Sequence, residues 1–158
     1  IKRIPLYTPP LPDWAKAELL TNDVFEHFVI KDNSMVNLFG ATIRFKKMVH
    51  LIENYAIRVE YKDKIFVYTG DTGMFPGIEE IATNASLFLS EATFTHDQSA
   101  EENHHLSALS AALIAQKANA HKLLLTHFHS EEKAEILKEA KAIFNNTELS
   151  VIGKSYYI

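Results

Sequence analysis

The sequence predicts a mixed α/β protein in which strands and helices pack as layers. Three observations lead to this prediction. Strand patterns dominate before Asp71, strand and helix patterns alternate after it, and ionisable residues follow several of the apolar strands. Such patterns are typical of layers that share one core, and open α/β sheets place their functional sites beyond the carboxyl ends of strands.

The length and composition are those of a single globular domain, residues 1–158. A chain of this length can bury a substantial core, and 47% hydrophobic with 23% charged residues are ordinary values. The sequence contains no cysteine, which excludes disulfides and thiolate metal ligands. A net charge of -4 gives no electrostatic argument for general nucleic-acid binding. No apolar run reaches the ~20 residues of a membrane span, and we expect a cytoplasmic protein.

The first part of the chain is predicted to be mainly β-structure. Its apolar segments are short, rich in β-branched and aromatic residues, and bounded by turn-forming residues. One short helix, which Asp13 can cap, follows a loop that contains three prolines. The predicted strands are 4–7, 24–30, 42–49, 55–61 and 65–68, and the last two form a hairpin.

The second part of the chain alternates helices with apolar strands. The first helix begins at Pro76, the second has apolar residues at helical spacing from Leu106, and Ser130 can cap the third. The inner face of the third helix is predicted to hold Leu137, Ala140 and Phe144. The predicted strands are 87–89, 122–126 and 149–152, and a surface loop is predicted at 95–103.

Three residues that follow strands are candidate metal ligands. Asp71 lies between glycines in a segment that is typical of a turn, but a carboxylate without bulky neighbours is also suited to bridging two metal ions. His127 and His50 each end a strand, and neutral imidazole is a common zinc ligand. A purely structural role is the alternative for each of these residues.

Two further residues are expected near the same strand ends. His105 stands at the start of an apolar helix, where it can donate a proton or stabilise charge beside the positive end of the helix dipole. The alternative is a helix-start residue without a special role. Glu91 follows the strand 87–89 and is expected to point to the same place. We interpret His96, His104, His121 and His129 as surface or supporting residues, and His27 carries no signal.

Taken together, five short segments resemble the metallo-β-lactamase superfamily, in the branch of ribonuclease Z and related phosphodiesterases. Their order along the chain, with a helix between the last two, makes the resemblance specific. It extends from about residue 4 to the end of the chain and implies the C-terminal portion of an αββα sandwich. The five segments are 49–50, 66–72, 90–94, 105–108 and 124–128.

The resemblance implies a role for each candidate residue. His50, Asp71 and His127 match metal ligands, with Asp71 bridging two zinc ions, for which manganese or iron are alternatives. His105 matches a histidine that assists at the scissile phosphate. The implied reaction is the attack of a metal-bound hydroxide on a phosphodiester, of a small molecule or of nucleotide type, or on a related ester such as a lactone. Glu91 matches the glutamate of the family's His-Glu-Ala-Thr-Phe pattern, in which Ser90 replaces the histidine.

Two departures from the family pattern shape the expectations. The His-x-His-x-Asp-His motif is absent from the sequence, and three shared ligands cannot complete two zinc sites that need about four ligands each. We therefore expect this chain to be the C-terminal half of a longer protein and to be inactive alone. The long tRNA-gripping insertion of ribonuclease Z is also absent between His50 and Asp71, so the usual tRNA binding is not expected.

Two alternatives to the hydrolase remain. One is a non-catalytic scaffold or dimerisation domain that keeps the fold without a complete metal site. The other is a single-metal binding module that uses His50, Asp71 and His127. In either case the protein is expected not to bind membranes, and a homodimer is a further expectation, since a bare half-domain exposes an apolar face.

Overall fold

The chain folds into two sheets, with three helices packed on the larger sheet and one short helix beside the smaller sheet. The computed structural model describes residues 3–21, 23–98 and 104–158. Within these ranges there are nine strands, four α-helices and one short 3-10 helix, His96–Gln98. The strands are β1 (Ile4–Thr8), β2 (Phe25–Val29), β3 (Met35–Leu38), β4 (Ala41–Lys47), β5 (Tyr55–Tyr61), β6 (Lys64–Tyr68), β7 (Leu87–Glu91), β8 (Leu123–Thr126) and β9 (Thr147–Leu149). The helices are α1 (Asp13–Leu20), α2 (Gly77–Ala82), α3 (Ala108–Lys117) and α4 (Lys133–Ile143).

Strands β3 to β9 form one mixed sheet in the order of the chain, and β1 pairs with β2 in a small parallel sheet. Pairing is antiparallel from β3 to β6, with two-residue turns between β3 and β4 and between β5 and β6, and a longer loop, residues 48–54, between β4 and β5. Pairing is parallel from β6 to β9, because α2, α3 and α4 each carry the chain back across the sheet. The predicted mixed α/β fold, with mainly strands first and strand–helix alternation later, is confirmed.

The main core lies between the parallel strands and the three helices that cross them. Phe88, Leu123 and Leu125 are fully buried on the strands, as their apolar sequence predicts. The face of α3 that packs on the sheet is rich in alanine, which lets the helix backbone approach the strands closely: Ala108, Ala111, Ala112 and Ala115. A smaller core of Ile30, Phe45 and Tyr55 lies between the end of β2 and the antiparallel strands β4 and β5.

Both predicted helix caps are wrong. Pro12 is the N-cap of α1, and Asp13 is already helical, where its carboxylate pairs with Lys16 at 3.1 Å instead of bonding a backbone amide. Helix α4 begins at Lys133, because Ser130 lies in a turn closed by the bond from the Glu132 amide to the His129 carbonyl.

The buried faces of the long helices also differ in detail from the prediction. Helix α3 begins at Ala108 after the N-cap Ser107, whose hydroxyl accepts from the Ser110 amide, so His105 precedes the helix. On α4, Ile136 is fully buried with Ala140, whereas Leu137 is only partly buried. In both helices the buried residues have the predicted helical spacing, but the face that is buried is rotated about the helix axis relative to the predicted face.

Two strand predictions need correction. Strand β3 was not predicted, because it is short and is joined to β4 by Phe39 and Gly40, both with positive φ. The predicted closing strand 149–152 is wrong, because β9 ends at Leu149. The Ser150 amide still donates to the Leu125 carbonyl. Ile152 is fully exposed, because β8 ends at Thr126 and offers no further backbone partner.

The predicted loop 95–103 is described only in part. Residues 96–98 form the 3-10 helix, and residues 99–103 lie outside the described residues. In the three described ranges, every helix is too short or too polar to cross a lipid bilayer.

Replacement of the buried Leu125 by alanine should lower the free energy of unfolding by ~2–5 kcal/mol, the usual result of removing a large side chain from a closed core. Leu51→Ala is the matched control, because Leu51 is 78% exposed, and it should change stability by less than about 0.5 kcal/mol. Urea unfolding monitored by circular dichroism measures both. Equal effects would contradict the placement of β8 in the core.

Candidate metal centre

Four chain segments meet at one edge of the large sheet. Strands β4, β6, β7 and β8 run in the same direction, since β4 and β6 both pair antiparallel with β5, and β6 to β8 are parallel. Their carboxyl ends therefore lie side by side. His50 follows β4, Asp71 follows β6, Glu91 ends β7 and His127 follows β8. His105 reaches the same edge from the segment that precedes α3.

The structure brings all four predicted site residues together. The ring centroids of His50 and His105 are 5.1 Å apart, and those of His105 and His127 are 5.3 Å apart. His127 Nδ1 lies 3.8 Å from Asp71 Oδ1. Among the described residues two overlapping groups place their potential ligand atoms within 4.8 Å of one another: His50 with Asp71 and His105, and Glu91 with His105 and His127.

The Asp71 loop is held by its backbone. The Asn54 side-chain amide donates to the Asp71 carbonyl at 2.7 Å, and the Gly73 amide donates to the Val49 carbonyl at 2.7 Å. The second bond ties the segment of His50 to the segment of Asp71. Gly70 has a φ of +62°, and a Cβ there would lie 2.7 Å from the nitrogen of Asn54. Glycine is therefore required at the position before the carboxylate.

Glu91 is fully buried, and both of its carboxylate oxygens are occupied. Oε1 accepts from the Thr72 amide at 2.7 Å and bonds His105 Nδ1 at 2.9 Å. Oε2 accepts from the Thr93 amide at 3.3 Å and the Thr93 hydroxyl at 2.7 Å. A carboxylate has about four lone-pair sites, so Glu91 organises its neighbours instead of binding a metal ion directly. The Ser90 hydroxyl donates to the backbone carbonyl of Glu91 and does not contact its carboxylate.

The histidines differ in how their Nδ1 atoms are held. Thr93 Oγ1 lies 2.8 Å from His127 Nδ1, and Glu91 holds His105 Nδ1. His50 Nδ1 lies 3.3 Å from both the amide nitrogen and the carbonyl oxygen of Ile52. For His105 and His127, Nε2 is therefore the atom that remains for a ligand.

A cavity of 320 Å³ adjoins the cluster. Burial raises the pKa of Tyr68, and the nearby carboxylates of Asp71 and Glu91 raise it further. The phenol therefore stays neutral and can donate a hydrogen bond beside Asp71. The lining residues are His50, Ile52, Glu53, Asn54, Tyr68, Gly70 and Asp71.

The remaining described histidines are not in either ligand group. The rings of His104 and His50 meet edge to face at 6.4 Å, so His104 supports a predicted ligand. His27 bonds Thr8 at 2.7 Å in the small sheet. The side chains of His96, His121 and His129 are exposed.

The donor set suits a divalent transition metal. Imidazole nitrogen and carboxylate oxygen are the usual ligands of zinc in catalytic sites, and the same donors accept manganese or iron. His50, Asp71 and His127 supply fewer ligands than two ions need. The residues present therefore fit part of a metal centre, with the cavity beside Asp71 open for additional donors.

Sequence reasoning missed two supporting residues, Asn54 and Thr93. Asn54 acts on Asp71 across the β5–β6 hairpin, and a lone asparagine before a strand gives no signal of this contact. Thr93 lies inside the segment 90–94, which carries part of the family resemblance. The resemblance therefore pointed to this segment, but the contact between Thr93 and His127 is seen only in the structure.

The chain is similar in sequence to a known family and to several known proteins. Residues 13–128 match the family described as Beta-lactamase superfamily domain. An uncharacterized protein of Mycobacterium leprae (strain TN) is 33% identical over 136 residues, which are 84% of this chain and 47% of that protein. The ribonuclease Z of Bacillus cereus (strain G9842) is 35% identical over 133 residues, which are 80% of this chain and 41% of that enzyme.

The fold is also similar to that of a solved structure. The metallo-beta-lactamase fold protein YhfI from Bacillus subtilis superposes with a TM-score of 0.85 at 27% identity, covering 94% of this chain and 61% of that chain. The present chain thus spans about half the length of the curated relatives it matches.

Gly70→Ala and Gly153→Ala form a matched pair that tests the Asp71 loop. Both glycines have positive φ, but a Cβ at Gly153 meets nothing within 4 Å. Gly153→Ala should cost about 1–2 kcal/mol, the penalty of a left-handed backbone. Gly70→Ala should cost more, because Asn54 must also move. Denaturant unfolding measures both, and equal costs would contradict the role of Asn54.

Proposed function

Because the chain belongs to the β-lactamase superfamily, we propose that it forms part of a divalent-metal-dependent hydrolase that cleaves a phosphodiester. The family match confirms the resemblance that five short segments predicted. The observation that carries the proposal is the meeting of His50, Asp71, His105 and His127 at the carboxyl edge of the sheet.

The proposed ligands are His50, Asp71 and His127. Asp71 lies between the two histidines in the strand order, because β6 is between β4 and β8, and this placement favours a bridging role. When bound, a pair of divalent ions lowers the pKa of water toward neutrality and polarises the scissile group. Zinc is the proposed metal, since its catalytic sites use this donor set.

His105 is proposed to act on the phosphodiester itself. Its Nδ1 is held by the buried Glu91 at 2.9 Å, so the ring has a fixed orientation. Its ring centroid lies 5.1 Å from that of His50 and 5.3 Å from that of His127, and Nε2 is the nitrogen that Glu91 leaves available. From this position it can hydrogen-bond a phosphoryl oxygen or give a proton to the leaving oxygen.

The remaining ligands are proposed to come from residues outside 1–158, in the same polypeptide or in a partner. The proposal rests on the missing His-x-His-x-Asp-His motif and on the cavity that opens beside Asp71. In this arrangement the chain forms the C-terminal portion of the αββα sandwich.

The proposed substrate is a small-molecule or nucleotide-type phosphodiester. The similarity to a ribonuclease Z supports phosphodiester chemistry. The single hairpin of β5 and β6 between His50 and Asp71 leaves no room for a long substrate-gripping insertion at that point, so the usual tRNA binding is not proposed. A lactone or other ester is the alternative for the same site.

A second candidate function is a scaffold or dimerisation domain. Several apolar side chains are exposed on β1, on α1, on β2 and at the residue before β2, and a covering surface would remove them from water. These are Ile4, Trp14, Leu19, Val24, Phe28 and Val29. In this alternative the fold is kept and the cluster binds no metal.

Metal content separates the two functions. In the polypeptide as its gene encodes it, plasma mass spectrometry after exhaustive dialysis should give about two metal ions per chain, the number in a two-metal hydrolase site. Asp71→Asn should lower the ratio because the proposed bridge is lost. Asp63→Asn, at an 81% exposed carboxylate, should not. A wild-type ratio near zero would favour the scaffold.

Activity should depend on His105 without any change in metal content. With bis(p-nitrophenyl) phosphate as the substrate, His105→Ala should lower kcat by roughly 10²–10⁴-fold, the usual contribution of a general acid or base. His121→Ala, at an exposed histidine, is the control. A lactone is assayed in parallel. The proposed substrate class would be contradicted if the wild type cleaved the lactone but not the phosphodiester, and if His105→Ala lost the lactone cleavage.

A further inference from the structure

Thr93 connects the buried Glu91 to His127. It is 9% exposed and follows β7, two residues beyond Glu91. Its hydroxyl oxygen lies 2.7 Å from Glu91 Oε2 and 2.8 Å from His127 Nδ1. These contacts place one hydroxyl between a carboxylate and an imidazole.

The single hydroxyl proton fixes the direction of this chain of hydrogen bonds. Glu91 Oε2 is an acceptor, and the hydroxyl of Thr93 donates to it. The hydroxyl then has only lone pairs to offer to His127, so Nδ1 of His127 must carry the proton that it donates. The neutral ring consequently has its lone pair at Nε2.

We propose that Thr93 is a positioning residue that fixes the His127 tautomer and presents Nε2 of His127 to the metal. The proposal rests on the metal site proposed above, to which it adds the residue that prepares one of its ligands. One buried carboxylate then orients two histidines, His105 by direct contact and His127 through the Thr93 hydroxyl.

The backbone explains why His127 needs this support. His127 has a φ of +61°, a conformation that costs a residue with a side chain free energy and that persists only where surrounding contacts maintain it. The Ala92 amide donates to the Thr126 carbonyl at 2.9 Å. The two chain segments therefore stay paired as far as the residues that precede Thr93 and His127. This pairing sets Thr93 beside the imidazole, and the hydroxyl then fixes the ring.

The test compares Thr93→Val, which keeps the shape and removes the hydroxyl, with Thr93→Ser, which keeps the hydroxyl. The first readout needs no metal: nitrogen-15 shifts of the imidazoles at alkaline pH in the metal-free polypeptide as its gene encodes it. The wild type and Thr93→Ser should show His127 protonated at Nδ1, and Thr93→Val should show a shift toward protonation at Nε2. Thr83→Val, at an exposed threonine, is the control.

The second readout is zinc affinity, measured by competition with a chromophoric chelator. Thr93→Val should weaken binding by roughly 10–100-fold, the usual effect of losing a partner that orients a metal-bound histidine, and Thr93→Ser should restore most of it. Wild-type protein with His127 protonated at Nε2 would overturn the proposal, even if Thr93→Val does not fold. Unchanged tautomer and affinity in Thr93→Val would also overturn it. A wild type that binds no zinc but has the expected tautomer would refute the proposed function alone.

Discussion

The site depends on one buried carboxylate. Glu91 is removed from water, a position that is costly for an acidic group unless donors surround it. Four hydrogen bonds meet this need, from the Thr72 amide, the Thr93 amide and hydroxyl, and His105. The same bonds join the strand ends that carry the predicted ligands. The hydrogen bonds that compensate the burial of Glu91 therefore also hold the predicted ligand residues in place.

Strand direction explains why the cluster forms at all. Residues far apart in the chain meet because β4, β6, β7 and β8 all end at the same edge. Two antiparallel connections, through β5, and two helical crossovers set this arrangement. The alanine face of α3 allows close packing behind this edge. The core thus determines where each strand ends, and the loops beyond the strands, with left-handed backbone at Gly70 and His127, aim the side chains.

Much of this arrangement was predictable from the sequence, and the rest was not for identifiable physical reasons. Apolar strands followed by Asp71, Glu91 and His127 predicted a shared edge, because parallel strand ends lie together. The tautomer of His127 depends on a contact with Thr93 across 34 positions, and no local pattern encodes it. The predicted helix caps at Asp13 and Ser130 were wrong. Asp13 pairs with Lys16 in a salt bridge, and Ser130 lies in a turn. Strand β9 was placed too late, since its end is set by its partner β8.

The most direct test of the central claim is the position of a bound zinc ion, located by anomalous diffraction at the zinc edge in crystals of the metal-loaded protein. We expect density bonded to Nε2 of His50 or of His127 at about 2.0–2.1 Å, with Asp71 as a shared oxygen ligand and Glu91 still hydrogen-bonded to His105 and Thr93. Zinc bound to the Glu91 carboxylate, or to Nδ1 of His127, would contradict the claim that Glu91 organises the ligands without being one.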